Sequence, residues 1–298
     1  MKLLVAISVA LTLLFSSCIQ DNKQPTHSAI SLTDDLGHTV NLRHLPRRVV
    51  SLAPNLTEVL FLIGADSSVV GVTDYCDYPE AAKRKAKIGG MLNPNIERIL
   101  ALQPDLVLMS GSGNMKSDFE KLTSTGTTVF VSYPRTVEGI FKSILDCGEL
   151  LGKKTMADEI VSRLRARRDS LVRQAAARDK KTVLMILSLN PLIAIGPRTF
   201  LSELVTLAHG ENIVRDSSSA YPVLSREEIL RRQPDVIIAT NDIVHSTKDI
   251  LSPYPEWKSL KAIRNNNVAI VDASIVSRPG PRIIDGLEAI IRAIHGVR

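Results

Sequence analysis

The stretch NPNIERILALQPDLVLMSG at residues 93–111 recurs in altered form as VLSREEILRRQPDVIIATN at residues 223–241. Aligned on the shared Gln-Pro-Asp, the two copies lie 130 residues apart. In each copy a helical spacing of apolar residues stops at Gln-Pro-Asp, and an apolar strand pattern follows. Solenoid repeats have much shorter periods, so the pattern predicts two lobes of related design.

Length and composition fit a globular chain of this kind. The 298 residues are 44% hydrophobic but only 4% aromatic, and the formal net charge is +6. Few rings are available for stacking on bases and no nucleic-acid motif occurs, so we predict no nucleic-acid partner. The densest basic run, Arg163 to Lys181, has the pattern of a solvated helix face, with an anionic-partner patch as the alternative.

The N-terminus has the pattern of a secretion signal. MKLLVAISVALTLLFSSC contains one Lys, an apolar run of about a dozen residues and small residues before Cys18. The run is shorter than the roughly 20 residues of a membrane span, which leaves an uncleaved anchor as a minor alternative. Leu14 to Cys18 resembles a bacterial lipobox. We expect a signal peptide at 1–17, a lipid on Cys18 and a tether over 18–30, on an exported protein at the periplasm or the outer face of the cytoplasmic membrane.

The two remaining thiols stand in no metal-binding motif. Neither Cys-x-x-Cys nor a closely spaced His pair occurs, so we predict no zinc site. Cys147 falls on a helical apolar pattern and is interpreted as a small core residue, whereas Cys76 follows a strand end in a loop that we expect to be exposed. The sequence leaves open whether the two form a disulfide.

Strand and helix patterns alternate on both sides of one long helical stretch. After a predicted hairpin in SLTDDLGHTVNL, RRVVSLAP begins the alternation, and Asn55 is the predicted N-cap of the first helix. We predict an N-terminal α/β lobe at 31–154, a bridging helix at 155–178 and a C-terminal α/β lobe at 179–298, with mostly parallel sheets. The alternative is one more crossover helix within a single sheet.

The repeated helices carry matched acids. Asn95 and Ser225 stand at predicted N-caps, which puts Glu97 and Glu227 at the second helical position of their copies. A carboxylate there gains about 0.3–1 kcal/mol from the helix dipole, which accounts for either acid alone. At equivalent positions of two lobes, the pair would also fit two matched basic sites on a two-fold symmetric partner.

The candidate ligand-binding groups lie in loops after predicted strands, because such loops form the functional edge of α/β sheets. They are Tyr75, Asp77, Met91, Asn93 and Ser110 in the first lobe, and Asn190, Tyr221, Asn241, Arg278 and Arg282 in the second. Trp257, the single Trp, lies at helical spacing with Leu260 and is assigned to packing.

No catalytic pattern accompanies these groups. GSGNMKS at 111–117 resembles a phosphate-binding loop, but Met115 stands where a Gly is required. The six His residues are scattered, and no Ser has a GxSxG context. We predict that the protein is not an enzyme and has no cofactor or metal of its own. An enzyme that uses the cleft and a lipid-anchored scaffold for another protein are the alternatives.

Five separated motifs carry a family resemblance: SLAPNLTEVLFLIGA, TDYCDYP, NIERILALQPDLVL, SREEILRRQPDVII and RPGPRIIDGLEAI. In this order they resemble the iron-siderophore and cobalamin substrate-binding proteins of ABC importers, over residues 45–296. The resemblance implies two Rossmann-like α/β lobes joined by a single long helix, the class III periplasmic-binding-protein fold, with a small ligand between the lobes. It also implies docking through Glu97 and Glu227 on a permease dimer with its ATPase, so that the repeat matches a duplicated partner.

The likeness is greatest to the corrinoid binders of this family, which implies a cobalamin-like ligand. Tyr75 matches an aromatic position of those proteins, and Tyr221 stands where a second aromatic residue is expected. Met91 and Ser110 fall where those proteins have Trp.

Two other ligands remain open within the same role. A ferric siderophore would present anionic groups that Arg278 or Arg282 could face. Haem is less favoured, because Gly90 and Met91 occupy the region where haem binders offer a Tyr ligand.

Overall fold

The computed structural model describes residues 30–215 and 218–296. The predicted signal peptide, Cys18 and the tether up to residue 29 lie outside the described residues. Among the described helices, none combines the length and the apolar character needed to cross a membrane.

The strands are β1 Ile30–Thr33, β2 Thr39–Leu42, β3 Val49–Ser51, β4 Val69–Val72, β5 Ala86–Lys87, β6 Leu106–Ser110, β7 Val129–Ser132, β8 Lys181–Leu189, β9 Leu192–Ala194, β10 Gly210–Asn212, β11 Val236–Thr240 and β12 Val268–Val271. The helices are α1 Pro54–Leu62, α2 Ile96–Ala101, α3 Lys116–Ser124, α4 Val137–Leu150, α5 Lys154–Ala176, α6 Phe200–Leu207, α7 Arg226–Arg232, α8 Thr247–Leu251, α9 Lys261–Arg264, α10 Ala273–Val276 and α11 Ile283–His295.

Two parallel sheets organise the chain. The N-terminal lobe has the order β5-β4-β3-β6-β7, and the C-terminal lobe has β10-β8-β11-β12 with β9 antiparallel to β8. Every residue of β6, β7 and β11 is buried, as expected where helices cover both faces of a parallel sheet. The predicted α/β class is confirmed, and β1 with β2 forms the predicted hairpin.

Helix α5 connects the two sheets and confirms the predicted bridging helix. It has 23 residues and follows directly on α4. It packs against α4 on one side and α11 on the other. One apolar core continues from Val49 in the first sheet through Ile160 of α5 to Ile294 of α11. Because the lobes share this core, a large hinge motion would expose apolar surface to water.

The repeated Gln-Pro-Asp is a joint between a helix and a strand. Gln103 and Gln233 both have left-handed backbones, with φ of 47° and 45°, and end α2 and α7. The aspartate then accepts backbone N–H groups where the neighbouring strand begins, at 2.7 and 3.0 Å for Asp105 and at 2.8 Å for Asp235. The repeat therefore aligns the central strands of each sheet at their amino ends.

Two of the three predicted helix caps are confirmed. Asn95 and Ser225 accept the amide three residues on, at 2.9 and 3.1 Å. The prediction for Asn55 is wrong, because α1 begins at Pro54 and its N-cap is Ala53, two residues before Asn55. The Asn55 side chain instead donates to the Pro279 carbonyl of the other lobe at 3.1 Å, so it serves the contact between lobes.

Both described cysteines are free and buried. Cys147 lies in the core as predicted, and desolvation raises the pKa of its thiol to about 12. The expectation of an exposed Cys76 is wrong, since its sulfur is buried 3.1 Å from the hydroxyls of Thr57 and Thr73. Trp257 is fully buried and stacks on Tyr254, which confirms its packing role.

Candidate functional site

A cavity of about 530 Å³ opens between the two lobes. Its first wall follows the carboxyl ends of β6 and β7, and its second wall is formed by the start of α6, the segment before α7 and the turn after α10. The residues that line it include Gly111, Tyr133 and Arg135 from the first lobe and Arg198, Tyr221 and Pro279 from the second. A cleft of this kind at strand ends is where α/β folds bind ligands.

Close backbone packing at two glycines holds the tyrosines of the cavity. A Cβ on Gly111 would lie 2.7 Å from the ring of Tyr133, so only glycine lets the ring rest on this backbone. A Cβ on Gly196 would lie 2.3 Å from the Ser219 carbonyl, and the Gly196 amide donates to the Ala220 carbonyl at 2.7 Å. The second contact fixes the backbone that carries Tyr221.

Tyr133 and Tyr221 stand close enough to influence each other. Burial raises the pKa of Tyr221, and the nearby Tyr133 adds to this shift. Arg135 donates to the Tyr133 hydroxyl at 3.1 Å, and its guanidinium lies 4.7 Å from the ring centre. The cavity therefore offers two phenol side chains, one from each lobe.

Two arginines give the cavity a positive charge. Arg135 and Arg198 are exposed, and neither makes an ion pair with a described residue. Arg198 donates to the Ser218 carbonyl at 2.5 Å. No Asp or Glu is among the described residues that line this cavity. Within the described parts of the chain, no acidic side chain lining the cavity compensates this charge.

The sequence prediction named Tyr221 but missed Tyr133, Arg135 and Arg198. A signal was available, because the triplet Pro-Arg-Thr occurs twice, at 134–136 and 197–199. Each copy precedes a helix, and each Thr caps it by accepting the amide three residues on.

The predicted residues of the first lobe lie at the carboxyl edge of the same sheet, in or after β4, β5 and β6, but they do not line the cavity. Ser110 is buried with its hydroxyl 3.1 Å from that of Ser112, which lines the cavity. Tyr75 is 60% exposed, and its ring lies 3.6 Å from where a Cβ of Gly90 would be. Met91 and Asn93 follow in the same loop, and Asn93 is exposed. Tyr75, Met91 and Leu92, which is 69% exposed, give this edge of the first sheet an apolar rim.

The predicted asparagines of the second lobe lie at the carboxyl ends of strands but do not line the cavity. Asn190 is exposed in the turn between β8 and β9. The Asn241 side chain accepts the Ala273 amide at 3.0 Å and so organises the start of α10.

Arg278 and Arg282 pair with acids of the other lobe. Arg282 donates to both oxygens of Glu58, at 2.8 and 2.6 Å. Arg278 donates to Asp77 at 2.6 Å and to Glu58 at 3.4 Å. The hydrogen bond from Arg278 lowers the pKa of Asp77. These three predicted site residues are therefore engaged with one another and with Glu58, in a contact that joins the lobes.

Glu97 and Glu227 are exposed at the second positions of α2 and α7, as predicted. Neither makes an ion pair within the described parts of the chain. The two carboxylates are thus unpaired and exposed to solvent, and each belongs to a different lobe. Residues 30–215 and 218–296 hold no group of three or more His, Cys, Asp or Glu side chains suited to a metal ion.

Comparison with known proteins places this geometry in a family. The profile of the Periplasmic binding protein family matches residues 49–275. A vitamin B12-binding protein of Vibrio campbellii is 30% identical over 253 residues, which is 85% of this chain and 90% of that protein.

Solved structures agree. The periplasmic vitamin B12-binding protein of Vibrio cholerae superposes with a TM-score of 0.74 at 28% identity, over 84% of this chain and 96% of that one. A periplasmic solute-binding protein of Staphylococcus epidermidis, titled as an iron-binding candidate, superposes with a TM-score of 0.75 at 26% identity, over 84% and 99%.

Proposed function

The chain belongs to the periplasmic binding protein family, and from that premise we propose that it is the substrate-binding protein of an ABC importer for a corrinoid. The observation that carries the proposal is the ligand-sized cavity between two lobes in a chain similar over most of its length to vitamin B12-binding proteins. The activity is capture and delivery rather than chemistry.

The ligand would be held by the cavity and its rim. Tyr133 and Tyr221 supply rings and hydroxyls from opposite lobes, and Tyr75 with Leu92 supplies exposed apolar surface. Such surface suits a large flat ligand, because burying it removes apolar area from water. We assign Met91, Asn93 and Ser110, at the same edge of the first sheet, to further contacts with the ligand.

Delivery would use both lobes. We assign them to residues 31–154 and 179–298, with residues 155–178 as the bridge. The unpaired carboxylates of Glu97 and Glu227 would meet basic groups of a permease dimer, which works with its ATPase. A lipid on Cys18 would hold the exported protein near that permease.

A ferric siderophore is the second candidate ligand, with haem as a variant of it. The specific observation in its favour is the uncompensated charge of Arg135 and Arg198, since ferric chelates commonly carry anionic groups. The same lobes and docking acids would serve either ligand.

Thermal unfolding tests the proposal, because a ligand that binds only the native state raises Tm. The mature chain is screened against cyanocobalamin, dicyanocobinamide, haemin and ferric siderophores, and each hit is confirmed by calorimetry. We expect the corrinoids to raise Tm. A rise in Tm with ferric complexes alone would replace the corrinoid by a ferric ligand and keep the role as substrate-binding protein. No shift with any of them would contradict the proposal.

A further inference from the structure

The two Pro-Arg-Thr triplets lie on opposite walls of the cavity. Arg135 belongs to the first lobe and directly precedes Thr136, the N-cap of α4. Arg198 belongs to the second lobe and directly precedes Thr199, the N-cap of α6. Helices α4 and α6 pack against each other, so the two triplets begin neighbouring helices. Each capped helix start fixes the backbone from which an arginine extends.

Both guanidinium groups keep most of their hydrogen-bonding capacity. Arg135 donates to the Tyr133 hydroxyl, and Arg198 donates to the Ser218 carbonyl; both acceptors are neutral. Each guanidinium has five N–H donors, so donors remain for a further partner.

The other arginines that extend from one lobe to the other are already neutralised. Arg278 and Arg282 pair with Glu58 and Asp77. Two acids lie at the start of α4. Glu138 pairs with Arg165 and Arg168 of α5, and Glu203 of α6 accepts the Val137 amide at 2.7 Å. Glu203 makes no ion pair with a described residue, so it does not neutralise Arg135 or Arg198.

We propose that Arg135 and Arg198 form a two-lobe clamp for an anionic group of the transported ligand, so that the cleft selects members of a ligand class that carry such a group over members that lack it. The inference rests on the proposed function. Guanidinium groups bind phosphate and carboxylate oxygens through paired, charge-assisted hydrogen bonds. Cobalamin offers a phosphodiester that cobinamide lacks, and a ferric tris-catecholate carries negative charge where a neutral ferric tris-hydroxamate carries none.

Matched pairs of probes test the clamp. Calorimetry compares cyanocobalamin with dicyanocobinamide, and ferric enterobactin with ferrichrome, on the wild type and on Arg135→Gln, Arg198→Gln and the double variant. In whichever pair binds, the member that carries an anionic group, here called the anionic member, should bind more tightly to the wild type. Each single substitution should lower the affinity for that member about tenfold, as expected for loss of a charge-assisted hydrogen bond. The affinity for the neutral member should stay unchanged. Arg173→Gln, in an exposed position of α5 without an ion pair in the described chain, is the matched control.

A probe that does not depend on the proposed ligands separates the two hypotheses. Inorganic pyrophosphate at low ionic strength should raise the Tm of the wild type and of Arg173→Gln, but not of the double variant. That result without any corrinoid or ferric ligand would support the clamp and contradict the proposed function. Equal binding of anionic and neutral members, or a double variant that binds the anionic member like the wild type, would overturn the clamp and leave the function standing.

Discussion

Glu58 of α1 and Arg282, immediately before α11, form a buried ion pair that joins the two lobes. The Glu58 side chain is 1% exposed, and Arg282 contacts both of its oxygens. Pro279, in the same segment as Arg282, lines the cavity and accepts the Asn55 side chain of α1. The ion pair therefore holds one wall of the cavity against the opposite lobe.

Removing the charge of Glu58 should destabilise the whole molecule. We expect Glu58→Gln to lower the free energy of unfolding by about 3 kcal/mol, because the Arg282 side chain, which is 20% exposed, loses its counter-charge. Urea unfolding at neutral pH measures the change. Arg167→Gln is the control, since it removes a more exposed ion pair between α5 and α11 and should cost under about 1 kcal/mol. Equal losses in the two variants would show that burial does not set the energy of this contact.

The docking role of the repeated acids predicts a separation of ligand binding from transport. In the double variant Glu97→Ala with Glu227→Ala, affinity for cyanocobalamin should be unchanged, because both acids lie outside the cavity. Uptake of labelled cyanocobalamin by cells that depend on this protein should be lost. Asp158→Ala with Glu159→Ala removes the same charge from exposed positions of α5 and should transport normally. A loss of affinity in the first variant would contradict the docking role.

Substitution can separate the contribution of the Tyr221 ring to ligand binding from that of its hydroxyl. Tyr221→Ala should lower the affinity for the ligand about tenfold, as truncation of an aromatic side chain that contacts the ligand commonly does. Tyr221→Phe keeps the ring and should retain most of the affinity if apolar contact dominates. Calorimetry measures both, with Tm as the check on folding. Wild-type affinity in Tyr221→Ala would remove this residue from the site.

The joint at Asp235 predicts a dependence of stability on pH. Desolvation pushes the pKa of Asp235 upward, but hydrogen bonds from Lys261 and Thr182 outweigh it, so the pKa lies below the usual value. The stability from the ionised carboxylate is present above the unfolded-state pKa of about 4 and is lost as pH falls through the lower folded-state pKa. Asp235→Asn should therefore unfold more easily in urea at pH 6 but differ less from the wild type at pH 3. If the difference in stability between the variant and the wild type is the same at pH 6 and pH 3, ionisation of Asp235 does not contribute to the pH dependence of stability.

Local signals predicted most of the fold. The helix caps at Asn95 and Ser225, the 23-residue bridge and the helix Ile283–His295 appear where spacing and capping residues indicated. These features depend on residues within a few positions of each other, so one sequence contains the information. The repeated Gln-Pro-Asp likewise predicts two sheets, because each copy aligns the strands of its own sheet.

The α/β class, the repeat and the helix positions of Glu97 and Glu227 can thus be predicted from local pattern alone. Which arginines face the cleft depends on contacts between distant parts of the chain. Arg278 and Arg282 were predicted to bind ligand, but their partners Glu58 and Asp77 lie more than 200 positions away along the chain. Arg135 and Arg198 line the cavity because two helix starts meet across the lobes. The residue type gives the charge of a side chain. Whether that charge is neutralised depends on which distant side chain the fold places beside it.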